Sequence, residues 1–247
     1  MDLGIAGRRA VVAASTSGLG LETARALGEA GCEVVISGRD PDRLARAVDH
    51  VPNAHPIIGD VSDVAGAQAF TEAATAELGG IDILVTNAGG PAPGTFASTP
   101  IEAYQGALDM NLTAMAAMCK VAVPAMQERR WGRVLAITST SVRQPMPQLI
   151  LSNTARTGLT SFLKTVALEV AADGVTVNTI QPGLHLTPRI QVLFGFDGGD
   201  AASEVPGEVI GDAADFGDVA AFLCSESAKY ITGASIPVDG GRFVGLQ

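Results

Sequence analysis

The chain has 247 residues, 47% of them hydrophobic and 17% charged, with a formal net charge of −10. Its 16 Lys and Arg residues are scattered in ones and twos, so no phosphate-tracking surface for DNA or RNA is expected, and anionic membranes are disfavoured too. The start, MDLGIAGRRA, lacks the charged-then-apolar order of a signal peptide, and the most apolar later stretch, AMAAMCKVAVPAM, is short and interrupted by Lys120, so a cytoplasmic protein is expected.

Short β-branched runs alternate with amphipathic ones along the chain. RRAVVAA is followed by a helix from Gly18 to Ala30, CEVVISG by a helix after Asp40, and HPIIGD by a helix from Ser62 to Leu78. DILVTN then leads to one long helix through AYQGALDMNLTAMAAMCKVAVPAMQE, the strand GRVLAITS, a helix after Ser152, the strand VTVNTIQP and a last strand ASIPVD. This alternation, unbroken by any linker, predicts a single α/β domain over residues 1–247: a Rossmann-type doubly wound sheet of seven parallel strands with helices on both faces. Leu184 to Asp215 has no clear periodicity and predicts a substrate loop or lid, with a disordered surface insertion as the alternative. Cys32, Cys119 and Cys224 are far apart and lack metal-ligand spacing, so they are expected to be buried small hydrophobes, with no metal site.

In such a sheet, ligands collect beyond the carboxyl ends of the strands. After the first strand, Ala13 to Gly20 read AASTSGLG and run into a helix, which aims backbone N–H groups and the positive end of a helix dipole at a pyrophosphate; Ser15, Ser17, Gly18, Leu19 and Gly20 are the candidates. The tip of strand two carries Gly38 and Arg39 instead of an acidic residue for a ribose 2′-hydroxyl. An arginine there suits a 2′-phosphate, so NADP(H) is expected over NAD(H), the alternative being that Arg39 is a solvated helix-start residue offset by Asp40. Asp60 and Val61 end strand three, with Asp60 placed to accept from an adenine amino group. Asn87, Ala88 and Gly89 end strand four in a turn whose missing side chains let a ribose pass close to backbone.

With these motifs, MNL around Asn111, ITS ending at Ser139, VTVNTIQPG and ITGASIPVDGG, the sequence resembles the short-chain dehydrogenase/reductase family over essentially the whole chain, and within it the 3-oxoacyl carrier-protein reductases. One departure is that the family's turn usually begins Thr-Gly, where Ala13 and Ala14 stand here. The resemblance implies a catalytic set of an Asn, a Ser, and a Tyr with a Lys four residues later. Asn111 and Ser139 match, whereas the Tyr and Lys positions hold Ser152 and Arg156. Residues four apart share a helix face, which in the family lets the cation depress the phenol's pKa. An aliphatic hydroxyl starts several units above a phenol and is a poor acid, but Ser139, Ser152 and Arg156 can still stabilise a developing oxyanion, and a water chain near Asn111 can carry the proton. Neither of the chain's two tyrosines, Tyr104 and Tyr230, aligns with the expected hydroxyl. The resemblance also gives Arg156 a place at the nicotinamide ribose, and Pro182, Gly183 and Thr187 places along the nicotinamide. A reading without chemistry makes Ser152 the N-cap of its helix and Arg156 a solvated residue of the second turn.

On the substrate side, Gln144 and Gln148 are expected at the entrance, and His185 is a candidate proton donor whose alternative is a structural hydrogen bond. Arg129 and Arg130 fit one place where carrier-protein reductases carry basic residues, but Asp173 and the acidic chain speak for a free ketone or alcohol. The expectation is an NADP(H)-dependent oxidoreductase interconverting a ketone and a secondary alcohol. One competing reading is a nucleotide-binding member with little catalysis, a sensor or partner subunit; another is a non-redox enzyme like the halohydrin dehalogenases, which share the fold but keep the tyrosine and lose the glycine turn. The family's packing implies a homotetramer through the long helices after strands four and five.

Overall fold

The computed structural model describes residues 2–194 and 202–246. Seven parallel strands form one sheet in the order β3-β2-β1-β4-β5-β6-β7. They are β1 Arg9–Val12, β2 Glu33–Gly38, β3 Ala54–Ile58, β4 Ile83–Thr86, β5 Gly132–Ile137, β6 Val175–Pro182 and β7 Ser235–Val238. The order reverses between β1 and β4, which opens a crevice above their carboxyl ends.

Alternation along the strands explains the two-sided core. Val11, Val35, Leu84 and Val134 point to one face, where they meet Phe70 of α3 (Val64–Leu78), Met115 and Met118 of α5 (Ala114–Glu128), and Leu159 and Leu163 of α6 (Ile150–Val170). Val12, Val34, Ile36, Val85 and Leu135 point to the other, against Leu27 of α1 (Gly18–Glu29), Leu44 of α2 (Pro41–Val48) and Phe216 of α8 (Ala213–Leu223). Cys32, Cys119 and Cys224 are buried and free, and burial pushes each thiol up to about 12, which leaves them unreactive filler.

Three expectations change. The helix expected through residues 103–128 is interrupted: α4 (Ala103–Leu108) passes through a π turn, Asp109–Thr113, before α5 resumes, and the bulge carries Asn111. α6 begins at Ile150, two residues before Ser152, because Gly94 and Leu149 form a β-bridge that sets the chain's entry; Ile150 N–H donates to Gly94 O at 3.3 Å. Ser152 is therefore inside the first turn, and the N-cap position belongs to Leu149, which has no side-chain cap bond. Within the aperiodic stretch 184–215, α7 (Pro188–Phe194) and the start of α8 are helical, and a parallel bridge joins His185 to Gly211. The part of that stretch at 195–201 lies outside the described residues. Among the described residues no helix is long and apolar enough to cross a membrane.

Candidate functional site

A cavity of about 580 Å³ sits over the carboxyl ends of the strands at the switch in strand order. One wall is the turn after β1. Ser17, Gly18, Leu19 and Gly20 line it, with Gly18 at φ 59, and Ser17 makes no side-chain cap bond to α1. Gly20 is small because a Cβ there would stand 2.6 Å from Asn87 Nδ2 and 3.0 Å from Ala14 O. Asn87 Nδ2 donates to both Ala13 O (3.2 Å) and Ala14 O (3.1 Å), so the ends of β1 and β4 are tied side by side. Ser15 lies behind this wall. Its hydroxyl donates to Val12 O at 2.7 Å and accepts from Ser37 N–H at 3.0 Å, which makes it a brace of the turn. Ala14 holds φ 48, a left-handed conformation that costs a side-chain-bearing residue ~1–2 kcal/mol.

At the β2–β3 end, Arg39, Asp60 and Val61 line the cavity. Arg39 is largely exposed and faces Asp60 at 3.8 Å. Asp40 is committed elsewhere: its carboxylate accepts from Arg43 N–H at 3.0 Å and caps α2. Arg43 itself lines the same end, one helical turn beyond Arg39, a spacing from which the sequence alone could have picked it out. Asn87, Ala88 and Gly89 form the floor after β4.

The β5–β6 end collects the polar side chains. Ser139 follows β5 and accepts from Ser141 N–H at 3.1 Å; Ser152 and Arg156 come from the buried face of α6, and all three line the cavity. Arg156 is 8% exposed, not solvated, and its Nη1 donates to Ile137 O at 2.9 Å. Burial, with the nearby Arg189 charge, pushes its pKa down to about 10, so it remains a cation at neutral pH. Asn111 lies outside the cavity wall, and neither amide atom has a hydrogen-bond partner among the described residues although the residue is 1% exposed. A buried amide left so is a place for ordered water.

Pro182, Gly183, His185 and Thr187 complete this end, and Thr187 lies against Gly18, its methyl 3.5 Å from where a Cβ would project. His185 packs edge-on to Phe216 at 5.1 Å, and burial holds its pKa below the ordinary imidazole value, so it is neutral at pH 7. Gln144 and Gln148 do not line the cavity: both are exposed, Gln144 Oε1 accepts from Val244 N–H at 3.3 Å, and Met146 and Leu149 take the wall positions between and beside them. Arg129 and Arg130 lie at the opposite, amino end of β4, where Arg129 donates to Ile81 O and Arg130 faces Asp173 at 3.7 Å. Sequence reasoning does not find Arg189 and Arg242, both of which line the cavity; Arg189 rises from the aperiodic stretch, where no periodic signal marks it. Among the described residues no cluster of three metal-ligating side chains occurs.

The family model described as Enoyl-(Acyl carrier protein) reductase matches residues 13–242. Dehydrogenase/reductase SDR family member 4 of Oryctolagus cuniculus is 36% identical, covering 96% of this chain and 94% of its own. 3-Oxoacyl-[acyl-carrier-protein] reductase of Vibrio cholerae is 29% identical over 98% of this chain and 100% of its own. The crystal structure of L-sorbose reductase from Gluconobacter frateurii, complexed with NADPH and L-sorbose, superimposes with a TM-score of 0.91 at 32% identity, each chain covered completely. The chain belongs to the short-chain dehydrogenase/reductase family.

Proposed function

We propose that the protein is an NADP(H)-dependent oxidoreductase that interconverts a ketone and a secondary alcohol at an atypical site, in which Ser152 and Arg156 stand where relatives use a tyrosine and a lysine. The observation that carries this reading is the convergence on one cavity of the glycine turn, Arg39, Ser139, Ser152 and the buried cation Arg156.

The residues fit such a cofactor. With Ser17 uncapping and Gly18 at positive φ, the first-turn N–H groups of α1 are available to a diphosphate, and Arg39 and Arg43 flank the place of a 2′-phosphate while Asp40 is held in its cap. Support also comes from L-sorbose reductase, which was crystallised with NADPH. When bound, the nicotinamide supplies or accepts a hydride. The chain's task is then to hold a carbonyl oxygen and settle its charge. The Ser139 and Ser152 hydroxyls are donors to that oxygen, and Arg156 offsets the developing negative charge in surroundings where water competes weakly. We assign the proton to water at the Asn111 amide, which has no partner among the described residues, since no tyrosine lines the cavity and His185, with its pKa held below the ordinary imidazole value, is not an acidic imidazolium. Asn111, Ser139, Ser152 and Arg156 are thus the catalytic residues of the proposal, with Pro182, Gly183 and Thr187 along the cofactor. A homotetramer through α5 and α6 belongs to the same proposal.

The absence of a phenol from the cavity favours a second reading, that of a nucleotide-binding member with little turnover. Fluorescence titration with NADPH and a turnover screen over ketones test both readings: saturable binding with slow reduction is expected, and a lack of micromolar binding sinks both.

A further inference from the structure

Most of the arginines that line the cavity, and several elsewhere in this acidic chain, have carboxylate partners. Arg9 meets Asp82 at 2.7 Å, Arg25 meets Glu22 at 2.8 Å, Arg133 meets Glu226 at 3.5 Å, and Arg242, though it lines the cavity, is held by Glu204. Two differ. Neither Arg156 nor Arg189 has a carboxylate partner among the described residues, and both line the cavity at its β5–β6 end. Each is taken partly out of water, and they are close enough for Arg189 to add to the cost of charging Arg156. A buried cation with a half-buried one of like charge beside it is eased by an anion that joins them.

The position of Arg189 is built rather than incidental. α7 carries its guanidinium onto the turn after β4, where Nη2 donates to Pro91 O at 2.8 Å. Room for it depends on Gly90, since a Cβ there would stand 2.8 Å from Nη2 and 3.0 Å from Nε. That one bond leaves most of the guanidinium's N–H donors without a partner among the described residues, and the planar fork they form matches a carboxylate. The glycine turn already serves a diphosphate, and Arg39 with Arg43 serves the far end, so the charge of Arg189 is not needed there. Beside it, Met146, Leu149, Leu184 and Ile190 give the cavity apolar wall.

We propose that the substrate is an oxo acid, with its carboxylate held by the Arg189 guanidinium over Gly90 and its carbonyl directed to Ser139, Ser152 and Arg156. This rests on the reading of the site as one that handles a carbonyl. The test is equilibrium binding by calorimetry to the full chain saturated with NADP⁺, which permits no reduction, using 2-oxohexanoate and 3-oxohexanoate against their methyl esters. At least one acid is expected to bind about ten- to a hundredfold more tightly than its ester, the factor of a hydrogen-bonded charge pair. Arg189→Met is expected to lose that preference and leave the affinities for ester and for NADP⁺ unchanged, and Arg189→Lys to keep part of it. Equal binding of acids and esters by the wild-type chain overturns the inference. So does an Arg189→Met variant that loses NADP⁺ affinity as much as acid affinity, because Arg189 then serves the cofactor's diphosphate. Absence of turnover with every ketone refutes the oxidoreductase reading while leaving this binding result standing, and lack of an acid preference leaves that reading intact.

Discussion

The two ends of the cavity are made in opposite ways. At the β1–β2–β3 end the ligand surface is backbone and small residues, and the polar side chains are already employed: Ser15 braces the turn, Asn87 ties β1 to β4, and Asp40 caps α2. At the β5–β6 end the surface is side chains, with two guanidiniums lacking acids among the described residues; a His185 Nδ1 in the wall and the Asn111 amide outside it also have no hydrogen-bond partner among them. A finished, satisfied surface binds in one orientation without rearrangement; an unsatisfied one is completed by what it binds. On the proposed function, the first region binds the cofactor and the second carries the chemistry.

Changes at the chemical end should move turnover most. Ser152→Tyr combined with Arg156→Lys restores the phenol and ammonium four residues apart, and ketone reduction is expected to rise by ~10²–10⁴-fold, the usual worth of a general acid. NADPH affinity, measured on the same preparation, should stay near that of the wild type. An unchanged rate would place the proton source away from Ser152.

The nucleotide end should respond through affinity. Replacing Arg39 and Arg43 by Ala is expected to weaken NADPH by about tenfold or more while NADH is untouched, as loss of charge-assisted hydrogen bonds requires. Equal losses for both cofactors would move the 2′-phosphate from this place.

Within the glycine turn, two small substitutions have opposite signs. Gly20→Ala must push a methyl group against Asn87 Nδ2 and Ala14 O and is expected to cost about 1–3 kcal/mol in denaturant unfolding. Ala14→Gly relieves a left-handed alanine and is expected to stabilise by about 1 kcal/mol.

The smallest effect lies away from both ends. His55 on β3 is bonded at 2.9 Å to both Glu33 and Glu77, which raises its pKa. Its contribution is therefore complete below about pH 6.5 and lost as pH rises through the higher folded-state value. The half-exposed site limits that contribution to under ~1 kcal/mol. His55→Gln should remove this pH dependence of Tm and leave NADPH binding as it was.

The fold and the residues that line the β1–β2–β3 end of the cavity were legible in the sequence because each signal was local. Alternating β-branched runs marked all seven strands, and a run of small residues between a strand and a helix bares the backbone that a diphosphate needs. The chemical end depended on contacts between distant segments. The π turn at Asn111 looks like continuous helix in sequence, since bulging changes hydrogen bonds and not composition. Ser152 looked like a cap because the Gly94–Leu149 bridge that starts α6 earlier joins residues far apart in the chain. Arg189 was invisible because only Gly90, nearly a hundred residues away in the chain, gives it a place.

The most direct test of the claim that the altered site still turns over is wild-type reduction of a ketone panel at saturating NADPH, with Ser139→Ala and Ser152→Tyr/Arg156→Lys alongside. Slow, NADPH-dependent alcohol formation that is lost in Ser139→Ala is the predicted result. Saturable NADPH binding with no alcohol formed by the wild type, while the double variant reduces the same ketones, would contradict it.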